Sequence, residues 1–185
     1  GFKITVSSSS YGGCVLFKGS SGNVLVITDS ASTSRITDLL NDNYSLNLDG
    51  VILLGDENCA VNYDRALNCD NVYISDFYVP VQPYRDIKFN YAHKFQLSDL
   101  NFEFTDGYNL TVTDNGIKIC ISCGDIPYTD CDLLISENIN YDFEMRREIC
   151  NAKNTVYFSK KGLYYNIAEY GKISFFTENG ILKQR

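Results

Sequence analysis

Apolar and polar positions alternate in short bursts along most of the chain. Lys3–Val6, Cys14–Lys18, Val24–Thr28, Val51–Leu54 and Val72–Ser75 are brief runs rich in β-branched or aromatic side chains, bounded by Gly, Ser, Asn and Asp. A second set comprises Lys94–Leu97, Phe102–Phe104, Leu110–Thr113, Ile117–Ser122, Leu133–Ser136, Thr155–Ser159 and Lys172–Thr177. Runs of this length and composition predict strands. The turns between them are explicit in Ser21-Gly22-Asn23, Asp106-Gly107, Asn115-Gly116 and Asn179-Gly180, and Asn-Gly signals a hairpin because both residues accept positive φ. Helical spacing is scarce. Ser34–Leu40 puts Ile36, Leu39 and Leu40 on one face behind several Ser/Thr caps, and Asn62–Asn68 has the length of a short helix. Asn140–Ala152 gathers Phe143, Arg147 and Cys150 on one side, with Arg146 and Arg147 in its second half, where cations suit the helix dipole.

The order of these elements repeats weakly. Gly13–Asp29 reads strand, polar turn, strand, Thr28-Asp29, and Tyr108–Asp125 reads strand, Asn-Gly turn, strand, Gly124-Asp125. Each leads through a loop to an apolar strand opening with Asp: Asp49-Gly50-Val51-Ile52-Leu53-Leu54 in one half, Asp132-Leu133-Leu134-Ile135 in the other. Two such halves predict two sheets packed face to face with the few helices outside, an α+β sandwich. Pro80, Pro83 and the Tyr-rich residues around them read as a loop rather than a linker, so residues 1–185 form one domain on this reading.

Composition narrows the chemistry. The 185 residues carry 16 Lys+Arg against 23 Asp+Glu, a formal charge of -7, and include seven Cys and a single His. An acidic chain is poorly suited to gripping a phosphate backbone, which needs Lys/Arg. One His excludes a multi-histidine metal cage and any mechanism needing two imidazoles. Seven cysteines cannot close a complete disulfide framework, and Cys14 and Cys120 sit in strand-like runs where a free thiol behaves as a small hydrophobe. No run of 18 apolar residues exists for a membrane-spanning helix, and Gly1–Val6 with the following serines lacks signal-peptide form. A start at Gly1 rather than Met leads us to expect a segment of a longer protein.

Candidate chemistry lies where strands give way to polar loops. Val51–Val61 leaves a buried strand for Asp56 and Glu57, either acid/base or metal carboxylates or a solvated acidic turn. Cys120 and Cys123 have C-x-x-C spacing, but period-2 alternation sets them on opposite faces, with Cys131 the only further thiol nearby and no neighbouring His. Asp125, behind Gly124 at a strand end, is the better-placed acid. His93 lies in the alternating stretch Tyr91-Ala92-His93-Lys94-Phe95 and reads as a sheet or surface residue. Neither a G-x-S-x-G elbow nor a phosphate-binding glycine loop is present. The pairs Lys160-Lys161 and Arg146-Arg147 read as solvated faces.

Taken in order, these pieces resemble the metallo-β-lactamase-like domain at the C-terminus of the competence protein ComEC. Gly12-Gly13-Cys14-Val15-Leu16-Phe17 stands where that family opens with Gly-Asp-Ser and a strand, and Val26-Ile27-Thr28-Asp29-Ser30 is similar to its Leu-Ile-Asp-Thr-Gly segment. Its metal motif His-x-His-x-Asp-His falls on Gly55-Asp56-Glu57-Asn58-Cys59-Ala60, with every His gone and the Asp replaced by Cys59. Its Thr-Gly-Asp is similar to Cys123-Gly124-Asp125, which keeps the metal-bridging Asp. Its His-His-Gly-Ser run falls after Asp132–Ser136 on Glu137-Asn138, again without His. Its last strands resemble Thr155–Ser159 through Tyr164–Asn166, without the His-Pro, and Gly171-Lys172-Ile173-Ser174-Phe175 is similar to its closing strand.

The resemblance implies a four-layer αββα sandwich, strand-rich with few helices. In the family a metal pair activates water to cut a phosphodiester. Here the vestigial pocket would comprise Asp29, Gly55, Asp56, Glu57, Cys59, Ala60, Asp125, Glu137 and Asn138. The expectation is therefore a degenerate domain with no catalytic residues, no resident metal and weak or no nucleic-acid binding. It would belong to a bacterial polytopic membrane protein and meet that protein's other segments or the DNA-uptake machinery. A second expectation is a hydrolase with a remodelled carboxylate site on Asp125, Glu57, Asp56 and Asp29, holding a hard divalent ion such as Mg²⁺ or Ca²⁺ weakly. A third is a protein- or carbohydrate-binding module using Tyr63, Tyr78, Tyr84, Tyr164 and Tyr165.

Overall fold

The computed structural model describes residues 1–8, 13–28, 33–43, 47–55, 69–77, 88–124, 129–136, 150–157 and 172–185. Its first half runs β1 (Phe2–Ser8), β2 (Gly13–Gly19), β3 (Asn23–Thr28), α1 (Thr33–Asp42), β4 (Gly50–Leu54), β5 (Val72–Ser75) and β6 (Phe89–Ala92). The second continues with β7 (Lys94–Leu97), β8 (Leu100–Phe104), β9 (Asn109–Asp114), β10 (Ile117–Ser122), β11 (Thr129–Ser136) and β12 (Cys150–Tyr157). Strands β13 (Lys172–Glu178) and β14 (Ile181–Gln184) then return to the first half.

Two sheets result. One has the order β14-β13-β1-β2-β3-β4-β5-β6 and the other β12-β11-β10-β9-β8-β7. The repeat legible in the sequence is a repeat of topology. In the first sheet β2 and β3 pair antiparallel, then β4 and β5 follow in parallel. In the second β9 and β10 pair antiparallel, then β11 and β12 follow in parallel. Thr28 is thereby registered on Leu54, and Ser122 on Ser136.

Alternation sorts the side chains. Val15, Phe17, Val24, Val26, Ile52 and Leu54 of the first sheet meet Phe102, Phe104, Val112, Ile119, Ile121 and Ile135 of the second in one shared core. Phe17 of β2 sets its ring edge-on against Phe102 of β8, with centroids 6.0 Å apart, and Tyr73 of β5 stacks on Phe95 of β7 at 4.2 Å. The first sheet is buried on its other face too. There α1 lays down Ile36, Leu39 and Leu40, an i, i+3, i+4 stripe, on Leu16, Leu25, Ile27, Val51 and Leu53. That double burial explains why β4 is apolar at consecutive positions Val51–Leu54, whereas β8 alternates buried Phe102 and Phe104 with the more exposed Asn101 and Glu103.

The Asn-Gly turns form as expected. Asn115 and Gly116 have φ of 47° and 81°, and Asn179 and Gly180 have 52° and 73°, the left-handed pair a tight hairpin requires. Asp106 closes its turn by accepting the Tyr108 amide at 2.7 Å and the Asn109 side-chain amide at 2.8 Å. The helix near residue 36 extends slightly beyond Ser34–Leu40 at both ends.

Three differences stand out. Cys150–Ala152, expected to end a helix over Asn140–Ala152, belong instead to β12, because β11 offers a continuous parallel ladder from Thr129↔Cys150 to Ser136↔Tyr157. Pairing overrides the weak helical spacing there; residues 140–149 lie outside the described residues, as does the helix expected at Asn62–Asn68. The strand expected at Thr155–Ser159 accordingly starts five residues earlier, with Phe158 and Ser159 beyond the described part. Strand β14 has no counterpart among the expected strands and β6 only the alternating stretch from Tyr91, both being short and partly exposed at sheet edges.

Candidate functional site

The candidate positions follow particular strands: Asp29 follows β3, Gly55–Ala60 follow β4, Asp125 follows β10, and Glu137 and Asn138 follow β11. The parallel pairings put the ends of β3 and β4 side by side in one sheet, and those of β10 and β11 side by side in the other. Across the sandwich the Cys123 thiol reaches the Leu54 carbonyl oxygen, 3.9 Å away. Four strand ends from two sheets therefore converge at one rim. Of the candidate residues, Gly55 is described and has a φ of 113°, which lets the chain turn sharply off β4. Asp29, Asp56, Glu57, Cys59, Ala60, Asp125, Glu137 and Asn138 lie outside the described residues.

The floor of this rim is lined by hydroxyls that belong to no motif in the sequence. Thr28, Ser75, Ser122 and Ser136 are the last residues of β3, β5, β10 and β11, and all are essentially buried. Thr28 Oγ1 accepts the Gly13 amide at 2.9 Å and donates to the Gly13 carbonyl at 2.8 Å. Ser122 Oγ donates to the Gly124 carbonyl at 3.2 Å, and Ser75 Oγ accepts the Phe77 amide at 3.2 Å. The hydroxyls of Thr28, Ser75 and Ser122 thus satisfy backbone groups where the ladders stop. The available signal was their shared place as the polar last residue of an apolar run. Gly124 is needed for a similar reason, since a Cβ there would come within 2.9 Å of the Tyr108 Cβ while Cys123 N donates to Tyr108 O at 2.8 Å.

The single imidazole sits elsewhere. His93 joins β6 to β7, two strands along the sheet from β4. Its Nδ1 lies 3.8 Å from Asp76 Oδ1, its Nε2 lies 3.8 Å from Glu103 Oε1, and its ring meets Phe77 edge-on at 5.4 Å. The side chain is 43% exposed, matching the surface reading.

Cys120 and Cys123 do lie on opposite faces. Cys123 packs on the shared core, while Cys120 joins Cys131 and Leu134 in a separate cluster. The Cys120 thiol is lowered from its ordinary value, first by its contact with Cys131 and against the opposing effect of burial, with Thr111 and Lys118 helping. Cys14, sealed under α1, is pushed up to about 12 by burial, with Arg35 opposing. Cys14 and Cys120 are free thiols. Tyr63, Tyr78, Tyr84, Tyr164 and Tyr165 lie outside the described residues, as do Lys160-Lys161 and Arg146-Arg147.

The donors described at the rim are the hydroxyls of Thr28, Ser75 and Ser122, bonded to backbone, the Ser136 hydroxyl, the Cys123 thiol and backbone carbonyls. Among the described residues, no three His, Cys, Asp or Glu side chains come together in ligating geometry.

Known structures share this architecture. The metallo-beta-lactamase fold protein YhfI from Bacillus subtilis superposes with a TM-score of 0.59 at 14% identity, over 85% of each chain. PqqB from Methylobacterium extorquens, in its Zn(2+)-bound form, gives 0.52 at 10% identity, over 90% of this chain and 82% of its own. The Rm3 metallo-beta-lactamase gives 0.51 at 12% identity, over 72% and 75% respectively. No protein-family model matches the sequence, and no curated protein matches it by sequence. The fold is that of the metallo-β-lactamases, an α+β sandwich of two sheets.

Proposed function

We propose that the chain is a catalytically degenerate metallo-β-lactamase-like domain of a ComEC-like DNA-uptake protein, acting through interaction rather than hydrolysis. The observation that carries this reading is the position of the single histidine. The strand ends that converge through Cys123 and Leu54 are followed in sequence by Gly55–Ala60, which contain no His, while His93 is held between Asp76 and Glu103 at the sheet corner. Lowering the pKa of a metal-bound water at neutral pH needs a firmly held metal, for which imidazole is the usual ligand. The formal charge of -7 adds repulsion toward a polyanion. Partners on this reading are other segments of the parent membrane protein or the uptake machinery. Among the described residues no helix is long and apolar enough to cross a membrane, so a membrane link would run through contacts or through segments outside them.

The test is metal content and cleavage. Purified protein should carry well under one equivalent of zinc or manganese by elemental analysis and leave single-stranded DNA intact. A stoichiometric metal pair with DNA cleavage would overturn the proposal.

A carboxylate-based hydrolase is the second reading, favoured by the close approach of the β4 and β10 ends, which lead to Asp56, Glu57 and Asp125. It expects Mg²⁺-dependent cleavage abolished by Asp125→Ala, and cleavage unchanged by that substitution rejects it.

A further inference from the structure

A cluster of cations lies at the opposite end of the first sheet from the rim. Lys3 of β1 and Lys18 of β2 are directly opposed in the antiparallel register, a pairing of like charges that weakens a sheet. Both are half-buried beside the C-terminus of α1. Lys3 Nζ donates to Asn43 Oδ1 at 3.1 Å, and Lys18 Nζ donates to the Asn43 carbonyl. Each ammonium has three N–H donors, and these bonds use one apiece. The Lys3 ammonium is lowered from its ordinary value first by burial, then by the fields of Lys18, Arg185 and Lys172. The acid beside them, Asp42, is engaged with Lys172. Asp42, Asn43, Lys3, Lys18 and Phe176 line an open cavity of about 600 Å³, within the roughly 300–1,000 Å³ usual for small-ligand sites. Concentrated positive charge in a chain of net -7, next to a cavity and held against mutual repulsion, is the pattern of a site prepared for an anion.

We propose that this cavity is an oxyanion site that takes a phosphate group on the Lys3 and Lys18 ammonium ions. The bound anion would relieve the opposed pair and accept their remaining donors as charge-assisted hydrogen bonds. The site is independent of any chemistry at the rim, since β2 runs from Gly13, bonded to Thr28 at the rim, to Lys18 at the far end.

The experiment is a titration of the isotope-labelled chain with inorganic phosphate and, separately, glycerol 3-phosphate, following the amide resonances of Lys3, Lys18, Asn43 and Phe176. Saturable shifts at these positions are expected, with chloride at equal ionic strength producing none that saturate. Half-saturation should rise at least tenfold in the Lys3→Gln/Lys18→Gln double variant and stay unchanged in Lys153→Gln. Because both lysines also hold the end of α1, two further variants keep the test sharp. Lys18→Arg should retain binding, and Asp42→Asn should tighten it at least threefold. Equal affinity for the two probes identifies free phosphate as the ligand; tenfold tighter binding of the ester identifies a phosphate carried on an organic group. Shifts that never saturate overturn the proposal, as does an unchanged half-saturation in the double variant or in Asp42→Asn.

Discussion

At the scale of single residues, backbone geometry and charge pairing are the quantities most open to test. Ser98 and Asp99 turn the β7–β8 hairpin with φ of 50° and 67°. They do the same work as Asn115-Gly116 and Asn179-Gly180, yet the sequence did not reveal them, because neither residue demands positive φ as Asn-Gly does. Asp99→Gly should therefore raise stability by up to about 1 kcal/mol in chemical denaturation, the left-handed cost relieved. Asp132 is a second case. Burial opposes its charge, but the Lys153 ammonium at 2.7 Å and the Lys118 amide at 2.9 Å prevail and hold the carboxyl below its ordinary range. A carboxyl lowered in the fold contributes stability above its unfolded value and loses it as pH falls through the folded one. Asp132→Asn should thus be less stable than the parent at pH 7. The gap should narrow below about pH 4 and close as Asp132 protonates, which thermal melts across pH 2–7 would read.

At the scale of elements, legibility followed how much of an element's burial is local. Helix α1 was readable from Ile36, Leu39 and Leu40, because its one apolar stripe faces one sheet. Strand β12 was readable only from Thr155 onward, because Cys150–Asn154 carries no clean alternation and owes its form to the ladder with β11. The far end of α1 depends on one residue as well. Asn43 is buried, donates to the Leu39 carbonyl at 2.8 Å, and accepts Lys3 Nζ and the Thr5 hydroxyl on Oδ1. Asn43→Ala leaves that carbonyl and those donors without their amide, and should cost roughly 1–3 kcal/mol in denaturant titrations.

At the scale of the whole molecule, the two sheets are held by rings that cross between them. Phe102 touches Phe17 of the facing sheet and stacks with Phe95 at 5.3 Å, and it is 2% exposed. Phe102→Ala should cost about 3–5 kcal/mol, measured by reversible unfolding. The sandwich was legible because each half repeats hairpin, loop and parallel strand, so the order of Val24–Thr28 and Val51–Leu54 foretold that of Ile117–Ser122 and Leu133–Ser136. The rim was legible only as a set of strand ends, since its identity rested on likeness to a family rather than on any motif. The cation cluster was not legible at all. Lys3 and Lys18 come together only through the pairing of β1 with β2, and Lys172 and Arg185, whose fields reach Lys3, come from the other end of the sequence. The pairing of β1 with β13 has a consequence for biosynthesis. Strand β1, whose Lys3 is registered on Phe176 and whose Phe2 amide donates to Thr177 Oγ1, is synthesised ahead of β2 to β12 and gains its outer neighbour β13 only after them. Until residues 172–178 emerge, the outer side of β1 stays open, a template for mispairing with other nascent chains.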